Sequence, residues 1–341
     1  MEGVRTIASL GEFGLIRTLF APLQQAEEAL VTGIGDDAAV LAVPRTQHLL
    51  VTTDALLEGS HFLRDDDPYL LGQKALRVNL SDIAAMGGQP RWYTLSLSLP
   101  PSIPVSWVEE FSRGLADTGR EYQVNLIGGD TVGTKGCIAI TITLLGLVGR
   151  GRALGRKGAR PGDRLFVSGT IGDATLGLSH RLRRMTINNP DDLAWFQRRF
   201  HLPEPRVALG QMLQETALAH ALIDISDGLV SELGHLCRES GVGAAIYTER
   251  VPLSDAARRV LAGATTPDQK ESILRQILTG GEDYELLFTV AEGALDQIEA
   301  LEARSGTKIT EIGRITREAG VISLFEEGRP IKLPEGGFRH F

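Results

Sequence analysis

Apolar runs in this chain repeatedly end on an aspartate beside glycine, serine or threonine. GIGDDAAV (33–40), VTTDALLEGSHF (51–62), NLSDIAAMGG (79–88), LIGGDTV (126–132), DISDGL (224–229) and GGEDYEL (280–286) share this signature. Where a strand or helix hands over to a loop, such a carboxylate stands at the rim of a folded layer. Asp37, Asp54, Asp82, Asp130, Asp224 and Asp227 are therefore expected to converge on one site. Crowded carboxylates repel unless cations neutralise them, and an all-oxygen donor set suits Mg²⁺. Glycine lets the backbone approach phosphate oxygens closely. The pattern implies metal-assisted phosphoryl transfer.

At 341 residues the chain has room for two domains, at roughly 100–200 residues each. A formal charge of −8 argues against a general nucleic-acid surface. The basic cluster HRLRR (180–184) is expected to be a solvated helix face. Cys137 and Cys237 lie far apart in apolar surroundings, so both are expected to be buried and inert. Neither belongs to a zinc-type spacing. MEGVRTIASLGEFGLIRTLF has no basic segment followed by an apolar one, and no run reaches the length of a membrane span. A cytoplasmic enzyme without membrane or nucleic-acid partners is the expectation.

The first half alternates two periodicities. Residues 49–53, 92–100, 125–129 and 137–148 are β-branched or alternate apolar with polar, as strands do. Residues 69–86 and 106–122 follow helical spacing, the second with Ser106 as expected N-cap. Glycine-rich, basic GRGRALGRKGARPGD (149–163) marks the junction between an N-terminal domain, 1–149, and a C-terminal domain, 150–341. Beyond it RLFVSG, a helix from Asp173, a strand ending in ALIDIS, a helix from Gly228 to Glu239 and YELLFTV compose a second α/β unit.

Simple nucleotide folds are excluded by what is missing. There is no GxxxxGK[ST], no HRDxxxxN or DFG set, and no complete GxGxxG. GIGDDAAV lacks the alternating acids and terminal Glu of an EF-hand. Each motif also has a plain structural reading. An acidic glycine loop can be only a turn, and VTTD only a capped strand end. Asp82 differs, because an Asp within an apolar helical pattern is costly unless paired or ligated. Asp283 beside Glu282 reads as a strand-initiating residue without a site role, and a lone histidine such as His61 is usually structural.

In this order the segments resemble thiamine-monophosphate kinase, a family related to aminoimidazole-ribotide synthetase, selenophosphate synthetase and the hydrogenase-maturation dehydratase. GEFGLI, GIGDDAAV, TTDALLEGSHF, KALRVNLSDIAAMGG, LIGGDTV, GRKGARPGD, DISDGLVSELGH, GGEDYELLFTV and the terminal GGFRHF carry the likeness across nearly the whole chain. The resemblance implies an α/β (α+β), two-domain, aminoimidazole-ribotide-synthetase-like fold whose mixed-sheet N-terminal domains pair into a homodimer. It implies ATP and several Mg²⁺ on acidic loops beside thiamine monophosphate. Asp37, Thr52, Thr53, Asp54, Asp82, Asp130, Asp224 and Asp227 then look like metal ligands. Gly129, Asp130, Arg156, Ser226 and Tyr122 look like ATP contacts, and His61, Glu282 and Phe338 like thiamine-phosphate contacts. No residue is implied as general base. Residues 1–40 lack the reactive Cys of selenophosphate synthetase, and the chain as given ends in Phe341, not the functional Cys of the hydrogenase-maturation protein. The GGEDYEL signature separates it from aminoimidazole-ribotide synthetase. A regulator that binds nucleotide without catalysis is the alternative of a different class.

Overall fold

Alternation along QPRWYTLSLSL makes one face of this strand almost wholly buried, and the sheet around it forms the core of the first half. The computed structural model describes residues 6–331, so Phe338 lies outside the described residues. The chain folds as two units, Met1–Ile83 with Gly88–Gly151, and Ala84–Gly87 with Arg152–Phe341.

In the first unit a short antiparallel pair, β1 (Leu30–Thr32) and β2 (Val40–Leu41), brackets the GIGDDAAV loop. The main sheet holds β3 (Gln47–Leu57), β4 (Gln89–Leu99), β5 (Asn125–Gly133) and β6 (Ala139–Gly149), in the order β3-β6-β4-β5. β4 and β5 run parallel, and the other pairs antiparallel. Helices Pro68–Ala85 and Val105–Tyr122 contribute much of the apolar core. They approach closely through glycine. A Cβ on Gly72 would stand 2.2 Å from the Phe111 carbonyl oxygen, and one on Gly114 2.1 Å from that of Tyr69.

The second unit is a seven-stranded sheet. It comprises β7 (Arg164–Ser168), β8 (Ala219–Asp224), β9 (Gly243–Tyr247), β10 (Leu286–Val290), β11 (Ile309–Thr316), β12 (Ile322–Glu326) and β13 (Arg329–Ile331). The order is β13-β12-β9-β11-β7-β10-β8, antiparallel except for β12 with β9. Alternation fills both faces. Leu165, Val167, Ile223 and Leu287 enter one core with the helix Leu229–Ser240, while Phe166, Leu222 and Phe288 enter the other with the helix Val207–Thr216. The expected α/β architecture is therefore what the chain forms.

Three local expectations need correction. The helix expected from Ser106 begins at Val105, with Pro104 as N-cap and no side-chain cap bond. Proline's fixed φ sets the entry and leaves Ser106 inside the first turn. HRLRR is not a helix face, because the helix ends at Arg181 and Arg183 takes a left-handed φ of 56°. Cys137 is exposed, standing in the turn between β5 and β6 just before the buried Ile138. Cys237 is buried as expected, and burial pushes its thiol up to about 11.

Candidate active site

The first unit brings its expected residues together in two groups. The buried-side alternation of β3 gives Thr52, Asp54 and Leu56 the same face, while Thr53 points the other way. Thr52 Oγ1 donates to Asp82 Oδ2 on the helix Pro68–Ala85, which answers why an Asp is tolerated among apolar helical neighbours. Thr53 Oγ1 instead donates to the Ile142 carbonyl at 3.1 Å, on the neighbouring β6. The second group lines a cavity of about 620 Å³, where Asp37 on its loop meets Gly129 and Asp130 on β5. Gly129 has φ +158°, and a Cβ there would stand 2.0 Å from the Leu95 carbonyl oxygen. No other residue fits that position without moving β4.

His61 closes a turn after β3, its Nδ1 accepting from the Leu57 amide at 3.0 Å. Tyr122 ends the helix Val105–Tyr122, with the Arg77 guanidinium 5.5 Å from its ring centre. It is absent from the lining of the Asp37–Asp130 cavity.

In the second unit Asp224 ends β8, buried, and the chain turns at once through Ser226 and Asp227 into the helix Leu229–Ser240. Two backbone bonds knit this turn to the GGEDYEL segment: Glu282 N–H to Ser226 carbonyl at 2.7 Å, and Tyr284 N–H to Ile225 carbonyl at 2.8 Å. Glu282 and Tyr284 both adopt positive φ, 76° and 51°. Such conformations cost of order 1–3 kcal/mol each and persist only where the surroundings fix them.

The two acids beside them, Asp283 and Glu285, are tied down by contacts distant in sequence, which the sequence reading missed. Glu285 is fully buried and accepts from Ser168 Oγ at 2.6 Å, Arg199 Nη2 at 2.7 Å and Arg206 Nη2 at 2.6 Å. Burial pushes its carboxyl upward, but the Arg206 and Arg199 guanidiniums outweigh this and hold it below the usual range. Asp283, expected to have no site role, is buried and accepts the Gly172 N–H at 2.8 Å. Its Oδ1 has no hydrogen-bond partner among the described residues, and burial raises its pKa well above the usual carboxylate value. Glu232 is the other missed group. Burial first, then Asp227, push it up to about 7, while Arg156 and Ser226 pull the other way. Arg156, Ser226 and Asp227 thus all act on Glu232, whose Oε1 also accepts the Asp227 N–H at 3.4 Å. A Glu one turn into a helix after SDG was the available signal.

The donor chemistry fits Mg²⁺: every expected ligand offers carboxylate or hydroxyl oxygen and none offers sulfur or nitrogen. Among the described residues, no three His, Cys, Asp or Glu side chains already stand together as a metal cluster. The oxygens come in pairs and short groups on separate elements.

Comparison with known proteins defines the class first. The family described as AIR synthase related protein matches with its N-terminal domain at residues 35–148 and its C-terminal domain at 160–324. Thiamine-monophosphate kinase of Escherichia coli K12 is 41% identical over 331 residues, covering 97% of this chain and 98% of that protein. Among solved structures, thiamine-monophosphate kinase from Stenotrophomonas maltophilia K279a is similar at 37% identity and TM-score 0.80, covering 93% of this chain and 96% of that one. AaThiL complexed with AMPPCP and TMP is similar at 36% identity and TM-score 0.75, with 97% of each chain covered. The chain belongs to the thiamine-monophosphate kinase family.

Proposed function

We propose that this protein transfers the γ-phosphoryl group of ATP to thiamine monophosphate, giving thiamine diphosphate and ADP. The observation that carries the reading is 41% identity to the Escherichia coli kinase over nearly the full length of both proteins, 97% of this chain and 98% of that one. The complex of AaThiL with AMPPCP and TMP, an ATP analogue and a phosphate acceptor, agrees with it.

The acceptor oxygen belongs to a phosphomonoester with a second pKa of about 6, so it is already ionised near neutral pH. No general base is required, and none is proposed. The barrier is electrostatic, since one anion must approach another. Asp37, Asp54, Asp82, Asp130, Asp224 and Asp227, with Thr52, would hold Mg²⁺, whereas the Thr53 hydroxyl faces away from Thr52 and Asp54. When bound, Mg²⁺ neutralises the facing phosphates and the charge that develops between them. Arg156 adds a guanidinium suited to phosphate oxygens, and Gly129 and Ser226 contact the nucleotide. Tyr122 is a further candidate for ATP. His61, Glu282 and Phe338 hold thiamine monophosphate in line.

The working form is proposed to be a cytoplasmic homodimer. β3 is a sheet edge of 11 residues whose outward Leu49, Val51 and Leu57 are 40%, 62% and 40% exposed. Long apolar edges of this kind are normally covered. Among the described residues no helix is long and apolar enough to cross a membrane.

Free thiamine is expected to be a very poor acceptor even at saturation. Its hydroxyl must lose a proton, and it lacks the phosphate through which the acceptor is positioned. Parallel assays with γ-labelled ATP check this: label should enter thiamine diphosphate from the monophosphate, and hardly any should enter from thiamine. Efficient labelling of thiamine would point to a thiamine kinase.

A further inference from the structure

The cavity that holds Asp37 and Asp130 is lined by two kinds of surface. Beside the carboxylates stand Phe13, Ile16 and Phe20 from the N-terminal helical segment, and Gly128 and Gly129 add backbone without side chains. Phe13 is 78% exposed, more than any other large hydrophobic among the described residues. Its mount is not loose: Leu15 and Phe20 on the same segment are buried at 2% and 5%. An aromatic ring anchored this way, over a glycine-lined hollow, offers a planar apolar seat.

We propose that Phe13, with Ile16 and Phe20, seats the uncharged purine base of the nucleotide. The inference rests on the kinase reading above and deepens it. Two observations choose the nucleotide over the acceptor. Gly129 and Asp130, the nucleotide contacts of that reading, line the same cavity. The thiazolium of the acceptor is cationic, and in this cavity it would compete with metal ions for the Asp37 and Asp130 carboxylates. A neutral base leaves those oxygens to the phosphate-bound metal and stacks on the aromatic ring. Tyr122 lies outside this lining, against Arg77, so the base has a seat that does not depend on it.

The test is Phe13→Ala in the full chain, with Phe13→Trp as partner. Because Phe13 is exposed, neither change should alter the melting temperature. Calorimetric affinity of Phe13→Ala for AMPPCP with Mg²⁺ should fall about tenfold and KM for ATP should rise equally. KM for thiamine monophosphate should not change, and Phe13→Trp should restore nucleotide affinity. Unchanged nucleotide affinity, an effect confined to thiamine monophosphate, or a lowered melting temperature without lost affinity would each overturn the proposal. Wild-type protein that binds AMPPCP more tightly than Phe13→Ala supports it even where no thiamine diphosphate forms. That result would defeat the kinase reading alone.

Discussion

Asp54→Asn is expected to lower kcat by roughly 10²–10³-fold, the scale seen when one preorganised charge-stabilising group is removed, while leaving the fold intact. Asp54 sits on β3 on the same face as Thr52, whose hydroxyl is bonded to Asp82, so the strand delivers carboxylate and hydroxyl oxygens to one region. Asparagine keeps shape and hydrogen-bonding capacity but removes the negative charge that a hard cation needs. Half-buried on a sheet edge, the position tolerates a neutral isostere without repacking. ADP release under saturating substrates, with a thermal melt on the same sample, checks both halves. Wild-type turnover in a folded variant would remove Asp54 from the site.

Glu285→Gln should carry the largest stability cost, about 3–5 kcal/mol, because it strands buried guanidiniums without a counter-charge. Glu285 is 0% exposed, Arg199 4% and Arg206 15%. Glutamine also loses acceptor capacity toward Ser168 and both arginines. The pH dependence follows from the depressed carboxyl. Its contribution is present above the ordinary glutamate value and is lost as pH falls through the lower folded value. Denaturant titrations should therefore show a wide gap between wild type and variant at neutral pH that narrows in strong acid. A gap below about 1 kcal/mol at neutral pH would show that the network contributes little net stability.

Local periodicity carried most of the fold. Alternation placed β4, β5 and β6, and helical spacing placed Pro68–Ala85 and Val105–Tyr122, because these elements bury one face each. Element ends were harder. Pro104 rather than Ser106 caps a helix, and Arg183 breaks one inside a basic run, since backbone dihedrals settle such details. Exposure of Cys137 depended on a turn that composition does not reveal. The acidic loops were visible as motifs, yet their partners were not. Glu285 meets Arg199 across 86 positions of sequence, and Gly172 meets Asp283 across 111. Such pairs come from helices and loops packed around the adjoining ends of β7 and β10, a placement that periodicity cannot supply. Thr53 shows the converse: its motif neighbours share a site face, and strand alternation turns its own side chain away.

The most direct measurement is a timed incubation of purified protein with ATP, MgCl₂ and thiamine monophosphate, resolved by chromatography. Thiamine diphosphate and ADP should appear in equal amounts, and excess EDTA should abolish both. Thiamine monophosphate recovered unchanged from folded protein under these conditions would contradict the assigned reaction.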